Sequence, residues 1–195
     1  MMRKIIERNI AGKKVLTFFL LATAVYLVML TITIPKVMSF SSGMKILDMM
    51  PTGYDSVYVN DLFEKLGEVG RKAYLTRQIP LDLVYPVLYG IGFCLVLAWF
   101  LNRLGRLHGN LIYFCLLPVF AGVFDYCENF GIIAMLLTWP EIPVNLVSVT
   151  NLFSILKSSL TSVYFIVLII VIVTFGVKSI TKRTDKIKLN NKYEN

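Results

Sequence analysis

The stretch Val163-Tyr164-Phe165-Ile166-Val167-Leu168-Ile169-Ile170-Val171-Ile172-Val173-Thr174-Phe175-Gly176-Val177 is almost purely β-branched, aliphatic and aromatic. In water such a run reads as a buried strand, because branched and aromatic side chains suit a pleated surface. Its setting decides otherwise. It ends an apolar segment that begins at about Leu152, long enough for the about 20 residues that cross about 30 Å of hydrocarbon. In lipid every backbone N–H and C=O must find its partner within the protein, and a helix achieves that inside one segment. The stretch therefore reads as the second half of a membrane-spanning helix.

Three further segments have the same character. The first, about Val15 to Ile34, holds no charge. The next, about Leu81 to Leu101, holds only Asp82 at its start, and the third, about Leu111 to Trp139, carries charge in its middle. The 195-residue chain is 56% hydrophobic and 16% charged, with a mean hydropathy of +0.69. These values exclude a disordered, collagen-like or disulfide-stapled secreted chain, and they leave too few polar side chains to coat a soluble globule. The first span follows basic residues, as a signal peptide does. Its apolar run is longer than the usual 7–15 residues and no small-x-small site precedes Pro35, so it reads as a retained anchor. The expected fold is one all-α integral membrane domain over residues 1–195, a four-helix transmembrane bundle.

Lys and Arg number 20 against 12 Asp and Glu, a net charge of +8. Their positions explain most of that excess. Arg3, Lys4, Arg8, Lys13 and Lys14 precede the first span, and Arg103 and Arg106 lie between spans two and three. Lys178, Lys182, Arg183, Lys186, Lys188 and Lys192 fill the tail at 178–195. With four spans these three segments share one side, which the positive-inside rule makes cytoplasmic. The expected location is a bacterial plasma membrane with both termini inside. The connection around Glu141 to Asn151 has no Lys or Arg and suits the outside. Trp99 and Trp139 then fall near opposite interfaces, and the basic tail rests against anionic headgroups. No RNA- or DNA-binding motif accompanies the charge, so no nucleic-acid partner is expected.

Residues 35–80 read as a helical cap on the outer side. Val59, Leu62, Phe63 and Leu66 recur at helical spacing opposite Asp61, Glu64 and Lys65. Thr52 or Asp55 is placed to cap the start of this helix, and Gly67 stands where a helix end favours glycine. A second helical stretch, Glu68 to about Gln78, leads to Pro80 and span two. There Pro86 permits a kink, and Gly90 and Gly92 permit close helix approach. Asp82, Tyr85 and Tyr89 recur at helical spacing and share a face. At the outer end of its span, Asp82 also reads as an interfacial cap.

The most informative residues lie in span three. Asp125, Glu128 and Asn129 stand at i, i+3 and i+4, on one helical face. An acidic residue at a helix centre costs about 2.5–3.5 kcal/mol on insertion scales, so two of them belong in the bundle interior. Lys157 is the available partner. On these boundaries Glu128 lies roughly 15 Å below the outer end of its span and Lys157 about 6–9 Å below its own, an offset its long side chain partly bridges. Ser158, Ser159, Thr161, Ser162 and Tyr164 surround it with hydroxyls. The expected site is a polar pocket lined by Asp82, Tyr85, Tyr89, Asp125, Glu128, Asn129 and Lys157. A proton shared between Asp125 and Glu128 would suit acid/base chemistry, proton-coupled binding or a cationic ligand.

Other chemistries lack their residues. Cys94, Cys115 and Cys127 form no Cys-x-x-Cys pair, His108 is the one histidine, and no phosphate loop or Gly-x-Ser-x-Gly is present. No cofactor and no metal are expected. The strings Gly70-Arg71-Lys72-Ala73-Tyr74-Leu75, Asp82-Leu83-Val84-Tyr85-Pro86-Val87-Leu88-Tyr89-Gly90 and Asp125-Tyr126-Cys127-Glu128-Asn129 resemble a pattern of small, uncharacterised four-span bacterial integral membrane proteins. The resemblance implies the architecture and marks the polar positions, and it brings no activity with it. Three functional classes follow. The leading one is binding or transport of a proton, a cation or a small amphipathic ligand at the carboxylates. The second is an enzyme acting on a lipid or isoprenoid by carboxylate acid/base chemistry. The third is an assembly partner of another membrane protein, docking through the outer segment.

Overall fold

The computed structural model describes the backbone of residues 2–193 and the side chains of residues 3–181. Every regular element among them is helical. An amphipathic α1 (Met2–Asn9) precedes α2 (Gly12–Val28), which passes through a π-helical turn, Met29–Thr33, into α3 (Ile34–Met38). After an irregular stretch come α4 (Ser56–Ala73), a second π-helical turn at Tyr74–Gln78, and α5 (Ile79–Arg103). A 3₁₀ segment, Asn110–Leu116, leads to α6 (Leu117–Thr138), and α7 (Val144–Tyr193) follows. Four helical stretches are long and apolar enough to cross a membrane: Gly12–Ser41, Ser56–Arg103, Asn110–Thr138 and Val144–Thr181. Their outward faces carry Leu20, Leu27, Ile91, Phe120, Val123, Phe130, Ile166, Ile169 and Val173, all exposed. An apolar surface of this extent calls for a lipid covering. The β-branched run of the fourth span is helix throughout.

Two expectations about boundaries need correction. The fourth span begins at Val144, so its connection to the third is residues 139–143 and not 141–151. Ser148 and Thr150 lie within that expected connection. They satisfy their hydroxyls on their own helix, at Val144 O (3.1 Å) and Leu146 O (2.7 Å), and so sit in it without penalty. Nor does Pro80 separate the cap from span two. It lies in the first turn of α5, directly after a π-helical turn. A proline ring crowds the carbonyl four residues back, and the extra residue of a π turn moves that carbonyl away. Pro35 follows the other π turn in the same way. The two turns lie side by side, and the Thr33 hydroxyl donates to Gln78 Oε1 between them.

The cap forms as its periodicity implies. Asp55 Oδ1 accepts from Tyr58 N at 2.8 Å, and Gly67 takes φ 60° at a kink within α4. Val59, Leu62, Phe63 and Leu66 are buried in one cluster with Ile132 and Met135 of α6. Arg71 donates to Phe63 O at 2.6 Å and lies over the Trp139 ring, 5.2 Å from its centroid. Phe63 and Arg71 therefore act inside the molecule, closing the end of the bundle. At the opposite end Glu7 meets Arg3 (3.0 Å) and His108 (3.4 Å), and Lys178 donates to Leu104 O at 3.1 Å. The N-terminal segment, the α5–α6 turn and the end of the fourth span thus share one end of the molecule. The side chains of Lys182, Arg183, Lys186, Lys188 and Lys192, on which headgroup adhesion of the tail rests, lie outside the described residues.

α2 packs on α5, α5 on α6 and α6 on α7, α5 also meets α7 through Phe93 and Tyr164, and α2 and α7 scarcely touch. The α5–α6 contact repeats one device in both directions. Pro86 and Gly90 of α5 face Gly122 and Pro118 of α6, and a Cβ added at Gly122 would lie 2.9 Å from Pro86 O. Small residues here let the backbones meet, which is the main attraction between helices in lipid. Gly122→Val is accordingly expected to destabilise the protein by about 1–3 kcal/mol through overpacking. Gly176, where an added Cβ would meet nothing within 4 Å, should tolerate Ala with no loss. Thermal unfolding of the two purified variants in one detergent checks both outcomes.

Candidate functional site

The helical face of α6 read from the sequence points into the bundle. Asp125, Glu128 and Asn129 are buried, at 5%, 1% and 0% exposure. From α7, Lys157 Nζ lies 3.1 Å from Asp125 Oδ1 and pairs with Glu128 Oε2. The offset expected between Lys157 and Glu128 is absent. Because α7 starts at Val144, Lys157 sits about 20 Å along its helix, deep enough to reach both carboxylates directly. Ser154, one turn earlier on the same face, donates to Glu128 Oε1. Its Oγ is also 3.3 Å from Tyr54 Oη. Burial pushes the Tyr54 phenol up, which keeps it an O–H donor in this acidic surrounding.

Asn129 serves a different neighbour. Pro86 has no N–H to offer the carbonyl of Asp82, four residues back, and Asn129 Nδ2 donates to that oxygen at 3.0 Å. Tyr126 Oη donates to the adjacent carbonyl of Leu83 at 2.6 Å. Two polar side chains of α6 thus serve the backbone around the proline of α5. Asp82 itself is 3% exposed within a continuous helix, so it is not an interfacial cap.

A cavity of about 640 Å³ lies against this network. Of the residues read from the sequence, Asp82, Tyr85, Tyr89, Asp125 and Lys157 line it, while Glu128 and Asn129 sit behind the wall. Ser158, Thr161 and Ser162 line it as well. Ser159 does not, and Tyr164 donates instead to Phe93 O at 2.7 Å. An aromatic ladder forms one wall: Tyr26 against Tyr85 (5.6 Å between centroids), Tyr85 against Tyr89 (5.6 Å), and Tyr89 against Phe93 (4.9 Å). A second cavity of about 390 Å³, near the basic end, is lined mainly by apolar side chains and touches none of the site residues expected from the sequence.

Several site residues escaped sequence reasoning. Asp48, in the 3₁₀ segment Leu47–Met49, lines the cavity and accepts from Tyr74 Oη at 2.6 Å. Its neighbours Ile46, Leu47, Met49 and Met50 are apolar, and an acid inside such a run is the signal that could have found it. Ser154 precedes Lys157 by three residues and was legible by helical spacing. Tyr26 and Tyr54 carried no comparable signal. Among the described residues, no group of three or more His, Cys, Asp or Glu is arranged to hold a metal ion. The chain matches no family model, no curated protein and no solved structure in the comparisons made. The arrangement can hold a proton between carboxyls, neutralise a cation, or present an ammonium to an acceptor.

Removing Lys157 leaves two carboxylates unpaired in a low-dielectric interior. Lys157→Met should cost about 3–5 kcal/mol of stability, and adding Glu128→Gln should restore part of it, a coupling read by a double-mutant cycle of unfolding midpoints. Asn129→Leu should cost about 1–2 kcal/mol by orphaning the Asp82 carbonyl. The loss should shrink in a Pro86→Ala background, where residue 86 supplies its own N–H.

Proposed function

We propose that this protein binds or transports a small amphipathic or cationic ligand, or a proton, at the intramembrane carboxylate site. It does so in a bacterial plasma membrane with both termini cytoplasmic. One observation carries the reading: two buried carboxyl groups, Asp82 and Asp125, line a cavity of about 640 Å³ among membrane-spanning helices. That volume lies in the range of about 300–1,000 Å³ usual for small-molecule pockets. Ionisable side chains at membrane depth are expensive, and where they line a cavity they mark ion or substrate sites. The wall is mostly aromatic and aliphatic with a few convergent polar groups, the composition of a ligand pocket.

The basic end, where the N-terminal segment, the α5–α6 turn and Lys178 come together, supports this orientation by the positive-inside rule, with the cavity towards the other end beneath the cap. The three strings quoted from the sequence also converge. Tyr74 holds Asp48 at the cavity, and the other two strings supply Asp82, Tyr85, Tyr89 and Asp125 to its wall.

Untargeted lipid and small-molecule mass spectrometry on purified protein tests the reading. A compound should co-purify with the wild type and be depleted at least tenfold in Asp125→Asn, a loss of about 1.4 kcal/mol or more in affinity. Identical profiles for wild type and variant would count against a ligand at this site.

A further inference from the structure

We propose that the Asp48–Asp82 pair seats the ammonium head of an organic amine whose apolar body lies along the aromatic wall. This rests on the ligand-binding reading and assigns the ligand's chemistry and its position. The carboxyl groups of the cavity divide into two sets. Asp125 and Glu128 share Lys157, and Glu128 also receives Ser154. Asp82 and Asp48 lie in the same wall within hydrogen-bond reach of each other, and Lys157, which acts on both across the cavity, forms its ion pairs with the other two acids. Asp82 Oδ2 and Asp48 Oδ1 are buried with no donor from any other group of the protein, and Asp82 is 3% exposed. Two carboxyl groups that meet each other, in the wall of a cavity between spanning helices, suit a donor that carries positive charge.

The surroundings select among cations. Metal-holding clusters of His, Cys, Asp or Glu are absent among the described residues, so the pair does not extend into a metal site. Beside it stand the rings of Tyr26, Tyr85 and Tyr89, with Phe93 and Phe165 further along. Aromatic faces attract an ammonium and accommodate an apolar body. One ammonium has three N–H donors, enough for both oxygens. The path of entry fits an amphiphile. Tyr26 of α2 and Phe165 of α7 both line the cavity and are 43% and 39% exposed, on helices that scarcely touch. The gap between them faces the bilayer, where such an amine partitions.

Three compounds that differ only at the head group test this: phenylbutylamine, phenylbutanol and phenylbutyrate. Each is titrated by calorimetry at neutral pH into the full-length protein in phosphatidylcholine nanodiscs. The amine should bind the wild type about tenfold or more tighter than the alcohol, as a charge-assisted hydrogen bond implies, and phenylbutyrate should bind most weakly. Asp82→Asn and Asp48→Asn should each reduce the amine to the affinity of the alcohol while leaving the alcohol unchanged. Asp48 lies outside the spanning helices, so its variant stays informative if Asp82→Asn fails to fold. If the wild type binds alcohol and amine equally, or if amine preference survives in both variants, the seat is overturned and the ligand-binding reading stands. If none of the three binds the wild type at millimolar concentration, the ligand-binding reading fails together with it.

Discussion

An ammonium group held between two carboxylates in the middle of a membrane protein constrains everything around it. Lys157 cannot leave Asp125 and Glu128 without exposing unpaired charge to a medium that does not solvate it. The constraint fixes the register of α6 against α7 to within a hydrogen bond. It also requires the two helices to stay close, and they do so at Gly131. An added Cβ there would run into the Thr150 side chain. The early start of α7 has the same origin. Beginning at Val144, the helix carries Ser154 and Lys157 down to the level of Glu128. A later start would leave the lysine above its partners.

α6 is the hub of the bundle because its polar residues face two ways. Asp125 and Glu128 bind α7, whereas Asn129 and Tyr126 serve the carbonyls of α5 around Pro86. The reciprocal Pro–Gly contacts then bring α5 and α6 together backbone to backbone. α2 has no such polar tie to α6 or α7. It leans on α5, at Gly92 against Phe18 and at the paired π turns where Thr33 meets Gln78. The result is a bundle closed among α5, α6 and α7 and open between α2 and α7. The cavity occupies the space that a direct α2–α7 contact would have filled.

The spans, the cap and the buried face of α6 were legible because each depends on local periodicity and on the expense of charge in lipid. Val59, Leu62, Phe63 and Leu66 announce a buried stripe at helical spacing, and all four are buried. Lys157 was legible as the available partner of Glu128, but the start of α7 was misjudged by eight residues, from Leu152 to Val144, which put an offset between them. Hydropathy undervalued Ser148, Thr150 and Asn151, whose side chains bond back to their own helix or to the segment before the cap helix. Asn151 Oδ1, for example, accepts from Tyr54 N at 2.8 Å. Asp48 was illegible for another reason. It reaches the site from an irregular stretch without periodicity, and its contact with Tyr74 spans 26 residues of sequence. No local pattern encodes that meeting.

The polar interior also bears on whether it is a clasp or a site. A clasp that only holds helices in register should end with its groups satisfied, since an unmet buried acceptor weakens the contact it serves. The α6–α7 network approaches that condition, with Lys157 and Ser154 both directed at carboxylates. The carbonyl freed by Pro86 meets it through Asn129. The Asp82 carboxyl does not, for its buried Oδ2 meets no donor except a second acid. Helix packing gains nothing from a carboxyl group placed there, and an apolar side chain would cost the membrane span less. The two halves of the interior therefore have different physical justifications. The lysine network is accounted for by the fold it holds together, whereas Asp82 and Asp48 meet each other in the cavity wall, where the proposed ligand would sit.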